Sequence, residues 1–319
     1  MRLTTFKKKG DDTPITGAFL EDLYIDLPAL TNGELPSSML DFLWAGDAAM
    51  RKARSALEGV ASELEKGSPD ALKTSSGKRY AYRPDEIELM APVPRPGKII
   101  HTACNFPAHL KELTTWSEPE WKSHDWKTFS FEHPTGFLQA PSSVSASGAK
   151  VPVPHFTKQL DYEVEVATII GKEAFRVSVE DALDYVAGFT VFNDLSARDI
   201  QAREHSNRVI YLGKSFNGSC PLGPHLVTKD EIADPVNLSM KLFVNGELRQ
   251  DSNTSQMQYK FAEMVSWWSN TTLEPGDVIT SGSPPGVAAG MENPRWLQPG
   301  DVVEGVVEGL GTLTSHIVE

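Results

Sequence analysis

Leu160-Asp161-Tyr162-Glu163-Val164-Glu165-Val166-Ala167-Thr168-Ile169-Ile170-Gly171 is the stretch on which the fold turns. Its second half is a short run of β-branched and apolar residues, as in a strand buried on both faces. Its first half alternates acids with apolar residues. Side chains alternate across a strand, so Asp161, Glu163 and Glu165 share one face while Tyr162, Val164 and Val166 share the other. Glu is depleted in strands, and neighbouring carboxylates on one face repel unless positive charge lies between them. On this strand alone, a solvated face and a cation site both fit.

Working outward, the chain around this strand is strand-rich. Further strands are expected at residues 98–101, 187–193, 238–244, 247–250, 277–281 and 301–307, beside 159–170 itself. Helices are few, at 179–185, 196–204 and about 261–269. Asn245-Gly246 between two strands is the signal of a type I′ hairpin. Pro-Gly-Asp-Val occurs at 275–278 and again at 299–302, turn chemistry leading into a strand. Without regular βαβ alternation, the pattern predicts an α+β or mainly β domain. No glycine-rich loop has the form of a phosphate or dinucleotide cradle.

The first ninety residues read differently. Short strands at 3–6 and 23–27 precede a helical stretch at 38–66, with Leu40, Leu43, Ala53, Leu57, Val60 and Leu64 at helical spacing. Ser37 or Ser38 would cap its start, Gly67 would end it, and Gly46 would divide it. Pro92, Pro94 and Pro96 then alternate ahead of Gly97, poor material for a helix or a central strand. The boundary is expected near 85–97, with a small N-terminal domain over 1–90 and a larger catalytic one over 91–319.

Composition narrows the function. With 43 acidic against 30 basic side chains, the formal charge is −13, which argues against nucleic acid as a partner. Cys104 and Cys220 make neither a disulfide framework nor a zinc pattern, as in a reducing compartment. The N-terminus lacks the apolar stretch of a signal peptide, and no run is long enough to span a bilayer. A soluble, cytoplasmic protein is expected.

A second acidic feature follows. Gly188-Phe189-Thr190-Val191-Phe192-Asn193-Asp194 reads as an apolar strand ending in an acid, before the helix that starts at Ser196. Asp194 is placed either to cap that helix or to project into a site. Two Glu and an Asp are hard oxygen ligands, suited to Mg²⁺, Mn²⁺ or Ca²⁺ rather than zinc or copper.

In order along the chain, Asp161-Tyr162-Glu163-Val164-Glu165, Asn193-Asp194-Leu195-Ser196-Ala197-Arg198-Asp199 and Gly213-Lys214-Ser215-Phe216-Asn217-Gly218-Ser219-Cys220-Pro221-Leu222-Gly223-Pro224 resemble the motifs of the fumarylacetoacetate hydrolase family. Val244-Asn245-Gly246-Glu247, Leu273-Glu274-Pro275-Gly276-Asp277-Val278-Ile279 and Thr280-Ser281-Gly282-Ser283-Pro284-Pro285-Gly286-Val287 extend the likeness toward the C-terminus. Pro94-Arg95-Pro96-Gly97-Lys98-Ile99-Ile100 and Pro141-Ser142-Ser143 extend it backward. The resemblance implies a C-terminal mixed β-roll, usually in a homodimer. It also implies one divalent ion per chain and small 2-oxo or 1,3-dioxo acid substrates. By motif match Glu163, Glu165 and Asp194 are the expected metal ligands.

Cleaving a carbon–carbon bond beside a carbonyl needs an enolate stabilised on one fragment and, for hydrolysis, a base for water. His109 and Glu112 are the candidate base, three apart and so on one face of a helical turn, where the carboxylate can orient the imidazole. An exposed surface pair has the same spacing. Family hydrolases carry such a dyad after an Asn-Tyr; here Asn105 is followed by Phe106, and Cys104 precedes it where Arg or Leu is usual. Lys214 is the expected cation for a substrate carboxylate or oxyanion. Gln201, Thr280 and Asn105 are the expected substrate contacts, while Arg198 and Asp199 pair with each other. Residues 114–134 hold Trp116, Trp121, Trp126, Phe129 and Phe131, material for a pocket wall or lid, or for packing against the N-terminal part or a dimer partner.

Hydrolysis of an acylpyruvate-like substrate is the first expectation. A lyase on the same scaffold is the second, decarboxylating oxaloacetate-type acids or dehydrating 2-keto-3-deoxy acids. A silent Ca²⁺-binding protein comes last, having no use for His109, Glu112 and Lys214 together.

Overall fold

Strand Val164–Ile170 is buried at every residue and lies in the interior of a large sheet. This computed structural model describes residues 1–65, 72–116, 119–122 and 132–319. Val186–Asn193 pairs antiparallel along one edge of the strand and Val278–Thr280 along the other. The sheet continues past Val278–Thr280 to Ile99–Thr102, in parallel, and then to Gly136–Gln139. On the other side it runs from Val186–Asn193 through Cys220–Thr228 to Arg2–Lys8, Ile15–Leu20, Leu23–Asp26 and Ala81–Tyr82. The N-terminal strands therefore extend the sheet that carries the acidic strand.

A second sheet, in the order Glu247–Asn253, Ser239–Val244, Val302–Val307, Gly311–Val318, Ala149–Pro152, packs on one face of the first. Val164, Val166 and Val191 meet Leu242, Val303, Leu313 and Ile317 in a shared core. Helix Gly46–Leu64 covers other parts of the large sheet, with Ala53, Leu57 and Val60 in a core that includes Leu3, Ile169, Phe192 and Leu222. The result is a sheet-dominated α+β fold with few helices.

Local chemistry accounts for several of the boundaries. Ser38 accepts a hydrogen bond from the Asp41 N–H and caps helix Met39–Trp44, and Gly46, at φ +62°, separates it from the long helix. Gly67, expected to end that helix, lies outside the described residues. Asn245 and Gly246 both have positive φ, as a type I′ turn requires.

Several expectations need correcting. The helix at 179–185 is a single 3₁₀ turn, Ala182–Tyr185. The strand at 159–170 is broken, with Leu160–Asp161 pairing Ser196–Ala197 before Val164–Ile170 begins. Strands Ile15–Leu20, Gly136–Gln139, Ala149–Pro152, Cys220–Thr228 and Gly311–Val318 lie outside the expected set, and Cys220–Thr228 forms despite Pro221, Gly223 and Pro224, which are poor strand residues. Its pairing with Val186–Asn193 slips in register between Phe189 and Val191, the kind of irregularity at which a sheet tolerates such residues.

Candidate active site

Four strand ends meet at one edge of the large sheet. Val164–Ile170 begins there, while Val186–Asn193, Val278–Thr280 and Ile99–Thr102 end there, with Val164 opposite Asn193, Ala167 opposite Thr280 and Thr280 beside His101. This topology gathers Glu163, Glu165, Asp194 and His101 around the floor of one cavity of about 190 Å³.

The acids are buried and unequally compensated. Glu163 accepts from Arg198 Nη2 at 2.6 Å and Lys214 Nζ at 2.8 Å. Burial works against its charge, but the Arg198 and Lys214 cations outweigh it and hold Glu163 well below the usual carboxylate range. Lys214 also donates to Asp194 Oδ2 at 2.6 Å. Glu165 has no such cation. Its Oε2 accepts from the Gly282 N–H at 3.1 Å, and burial followed by the Asp194 charge pushes it up to about 8. Gly282 makes this approach possible, since it sits at φ +77° and a Cβ there would lie 2.6 Å from the Thr102 carbonyl.

His101 Nδ1 lies 3.3 Å from Asp194 Oδ2, its Nε2 bonds Gln139 Oε1 at 2.7 Å, and Phe137 stacks on its ring. Burial disfavours its protonated form, but the charges of Asp194 and Glu165 prevail and its pKa is raised. Ligand atoms of His101, Glu165 and Asp194 lie within 4.8 Å of one another. Asp194 Oδ1 is buried without a hydrogen-bond partner. An orphaned carboxylate oxygen beside an under-compensated Glu is a site that fits a divalent cation. Glu163, the third ligand expected from the motif match, is bonded to Arg198 and Lys214, and His101 stands beside Glu165 and Asp194 as a further candidate ligand.

The dyad forms. Helix Pro107–Leu113 opens with Pro107 at its first position and carries His109 and Glu112 on one face. His109 Nδ1 is 3.1 Å from Glu112 Oε2, and its Nε2 is 3.6 Å from Glu163 Oε1. Glu112 is anchored by the Gly286 N–H at 2.8 Å. Burial lowers the pKa of His109, but the bonds to Glu112 and Glu163 more than offset it, and the net shift is upward.

Other expected residues have different positions. Asn105 spends its side chain on the Tyr259 and Ser281 carbonyls and the Tyr259 N–H, clamping the loop under the dyad. Thr280 is buried beneath His101 at 3.3 Å, and neither it nor Asn105 is among the described residues lining the cavity. Gln201 does line the cavity and accepts from Arg198 Nη1 at 3.0 Å. Gly213 lets the Lys214 segment lie against Gln201, because a Cβ there would come within 2.8 Å of its backbone. Arg198 does not pair with Asp199. It is buried between Asp161 and Glu163, while Asp199 accepts from the Thr157 hydroxyl and the Lys158 N–H.

Asp161 leaves the acid face for a reason the broken strand supplies. Its carboxylate caps the Ala288 and Ala289 N–H groups and binds Arg198. Sequence reading missed His101, whose signal was its place at the end of a strand leading to the dyad. Trp116 and Trp121 are buried together with Leu113, Ala202, Val287 and Ala289, and Trp121 also lines the cavity. Trp121 is thus part of the pocket wall, and it packs against residues of the larger domain rather than the N-terminal part; Trp126, Phe129 and Phe131 lie outside the described residues. Cys104 lines the cavity as well, its thiol pushed up to about 12 by burial and then by Glu163.

A buried acid-and-histidine floor facing a His-Glu dyad defines an enzyme site of the fumarylacetoacetate hydrolase type. The chain belongs to this family: the model for the fumarylacetoacetate (FAA) hydrolase C-terminal domain matches residues 98–318. A mitochondrial oxaloacetate tautomerase of Xenopus laevis is 36% identical over all of this chain and 90% of its own length. An oxaloacetate tautomerase of Bacillus subtilis is 35% identical over 89% of this chain and 87% of its own length. Among solved structures, a fumarylacetoacetate hydrolase from Exiguobacterium antarcticum superposes with a TM-score of 0.73 at 30% identity, covering 100% of this chain and 99% of its own. Among the described residues, no helix is long and apolar enough to cross a membrane.

Proposed function

We propose that the chain enolises a short 2-oxo dicarboxylic acid of the oxaloacetate type, interconverting its keto and enol forms. The observation that carries this reading is the placement of His109 Nε2 over the acid floor, with Nδ1 held by Glu112, inside one small cavity. That is a proton-transfer station beside a place for a 2-oxo acid. The cavity is below the usual range for drug-sized ligands, which suits an acid of a few carbons. Support for an oxaloacetate-type acid over the acylpyruvate expected first comes from the near full-length relatives, which are named oxaloacetate tautomerases.

Glu165 and Asp194, with His101 or Glu163, would hold a divalent cation. When bound, such an ion supplies Lewis acidity toward the 2-oxo oxygen. The protein's own groups do the rest. His109 Nε2 takes a proton from C3 and, as imidazolium, returns one to the enolate oxygen. Glu112 fixes the ring and stabilises its charged form. Lys214 and Arg198 hold the pKa of Glu163 well below the usual carboxylate range, so that it is too weak a base to take the proton from His109.

The test is to supply enol oxaloacetate with Mg²⁺ and follow the loss of enol ultraviolet absorbance while assaying pyruvate and carbon dioxide. Accelerated loss of enol without pyruvate is expected. Pyruvate release instead would mean decarboxylation, and turnover confined to acylpyruvates would restore the hydrolase. Hydrolysis remains the second reading because the same dyad can activate water, and the Exiguobacterium antarcticum neighbour is named a hydrolase.

A further inference from the structure

Glu112 occupies space that a side chain at position 290 would fill. The three heavy atoms nearest to a Cβ built on Gly290 would be Cγ, Cδ and Oε1 of Glu112, all far inside van der Waals contact. Gly290 closes the 3₁₀ turn Ala288–Gly290, and its φ is not in the left-handed region, so the backbone there admits alanine. The turn itself makes no demand for glycine; the demand comes from Glu112. Beside this gap the Gly286 N–H donates to Glu112 Oε1 at 2.8 Å, while Oε2 faces His109 Nδ1 at 3.1 Å. One carboxylate oxygen is held by the seat and the other holds the imidazole.

The seat is braced from several directions. Asp161 accepts from the Ala288 and Ala289 N–H groups at 2.8 and 3.1 Å. The Tyr162 hydroxyl donates to the Gly286 carbonyl at 3.2 Å, and Gln250 Nε2 donates to the Pro284 carbonyl at 2.7 Å. Asp161 is bound in turn by Arg198, which also holds the floor acid Glu163. Leu113, next to Glu112 in the dyad helix, is buried in one apolar cluster with Val287 and Ala289. The dyad helix is therefore tied to the frame of the floor through residues 286–290. Neither Gly290 nor Glu112 is among the described residues lining the cavity, so the seat bears on catalysis through His109.

We propose that Gly290 is a positioning residue, whose missing side chain seats Glu112 and so fixes the orientation of the His109 ring. A methyl group there displaces the carboxylate from the Gly286 N–H, from His109 or from both, and the imidazole loses the group that orients it. Misplacing a reacting group by about 1 Å costs about 10²-fold in rate. The kinetic consequence rests on the proton-transfer reading of the dyad; the seating of Glu112 does not.

The experiment compares wild type, Gly290→Ala, Glu112→Ala and the double variant, all loaded with Mg²⁺. With enol oxaloacetate, Gly290→Ala should lower kcat about 10- to 100-fold and change KM less than about 3-fold. Its thermal midpoint should stay within about 2 °C of wild type, because only the end of a flexible side chain has to move. In the Glu112→Ala background the same substitution should change kcat less than about 2-fold, since no carboxylate is left to displace. Nitrogen NMR of histidine-labelled protein gives a readout free of substrate. Gly290→Ala should move the ring signals of His109, assigned by their absence in His109→Asn, and leave those of His101 in place. Unmoved His109 signals, an unchanged kcat, a collapsed thermal midpoint, or a loss that multiplies with that of Glu112→Ala would each overturn the seat while leaving the reaction intact. If wild type does not turn over the acid, the reaction reading falls and the ring signals alone decide the seat.

Discussion

His225 offers a prediction whose size follows from its surroundings. It lies in strand Cys220–Thr228, is 6% exposed, stacks on Phe19 at 4.8 Å and has no hydrogen-bond partner at either ring nitrogen. Burial, then the Arg2 charge, lowers its pKa from 6.5 to about 4. Above pH 6.5 the ring is neutral in both folded and unfolded chains and contributes nothing. Between the two values the unfolded chain binds a proton that the folded one refuses, so stability falls as the pH falls. The full loss is about 3.4 kcal/mol, reached below pH 4, and about 2 kcal/mol of it is present at pH 5. His225→Phe keeps the stack and forfeits no hydrogen bond. Urea denaturation of both proteins between pH 7.5 and pH 5 should show the variant gaining about 2 kcal/mol relative to wild type on acidification. Parallel pH profiles for the two proteins would refute the assignment of a neutral, buried imidazole.

Four further outcomes are expected. His109→Asn should lower turnover of the enolisable acid by about 10²–10⁴, measured at saturating substrate, because the proton acceptor is gone. Glu165→Gln should weaken Mn²⁺ binding at least about 10-fold by calorimetry, since it removes one of the two acids common to both candidate ligand sets. Gly282→Ala should cost about 1–3 kcal/mol in denaturation, as its Cβ meets the Thr102 carbonyl in a left-handed backbone, and should reduce activity by displacing Glu165. Trp116→Ala should cost about 3–5 kcal/mol by opening a cavity beside Leu113 and Trp121; a loss under 1 kcal/mol would contradict its burial at 1% exposure.

Much of the site was legible where local pattern carries it. Glu165 and Asp194 stood out because acids at the margins of apolar strands violate the ordinary partition of charge. Helical spacing lets His109 and Glu112 meet but fits a surface pair equally, and it was the family resemblance that singled them out. Asn105 was misjudged because its motif neighbours suggested the pocket, whereas its partners are Tyr259 and Ser281, more than 150 residues away. Thr280 was misjudged for a similar reason, since which side of a strand end faces a cavity is set by the pairing strands.

The sequence by itself determined the sheet-rich α+β class, a consequence of period-2 and period-3.6 patterning, and marked out the candidate acids and the His-Glu pair through its family motifs. Only the tertiary structure decided the ownership of charge. Asp161 went to Arg198 and two backbone N–H groups, Glu163 to Arg198 and Lys214, and His101 joined Glu165 and Asp194 across a parallel strand pair. The physical reason is that burial makes every unpaired charge costly, so partners are settled by whichever groups the sheet brings within 3–4 Å. Those groups come from strands and helices far apart in the chain, and no local spacing records which of them will meet.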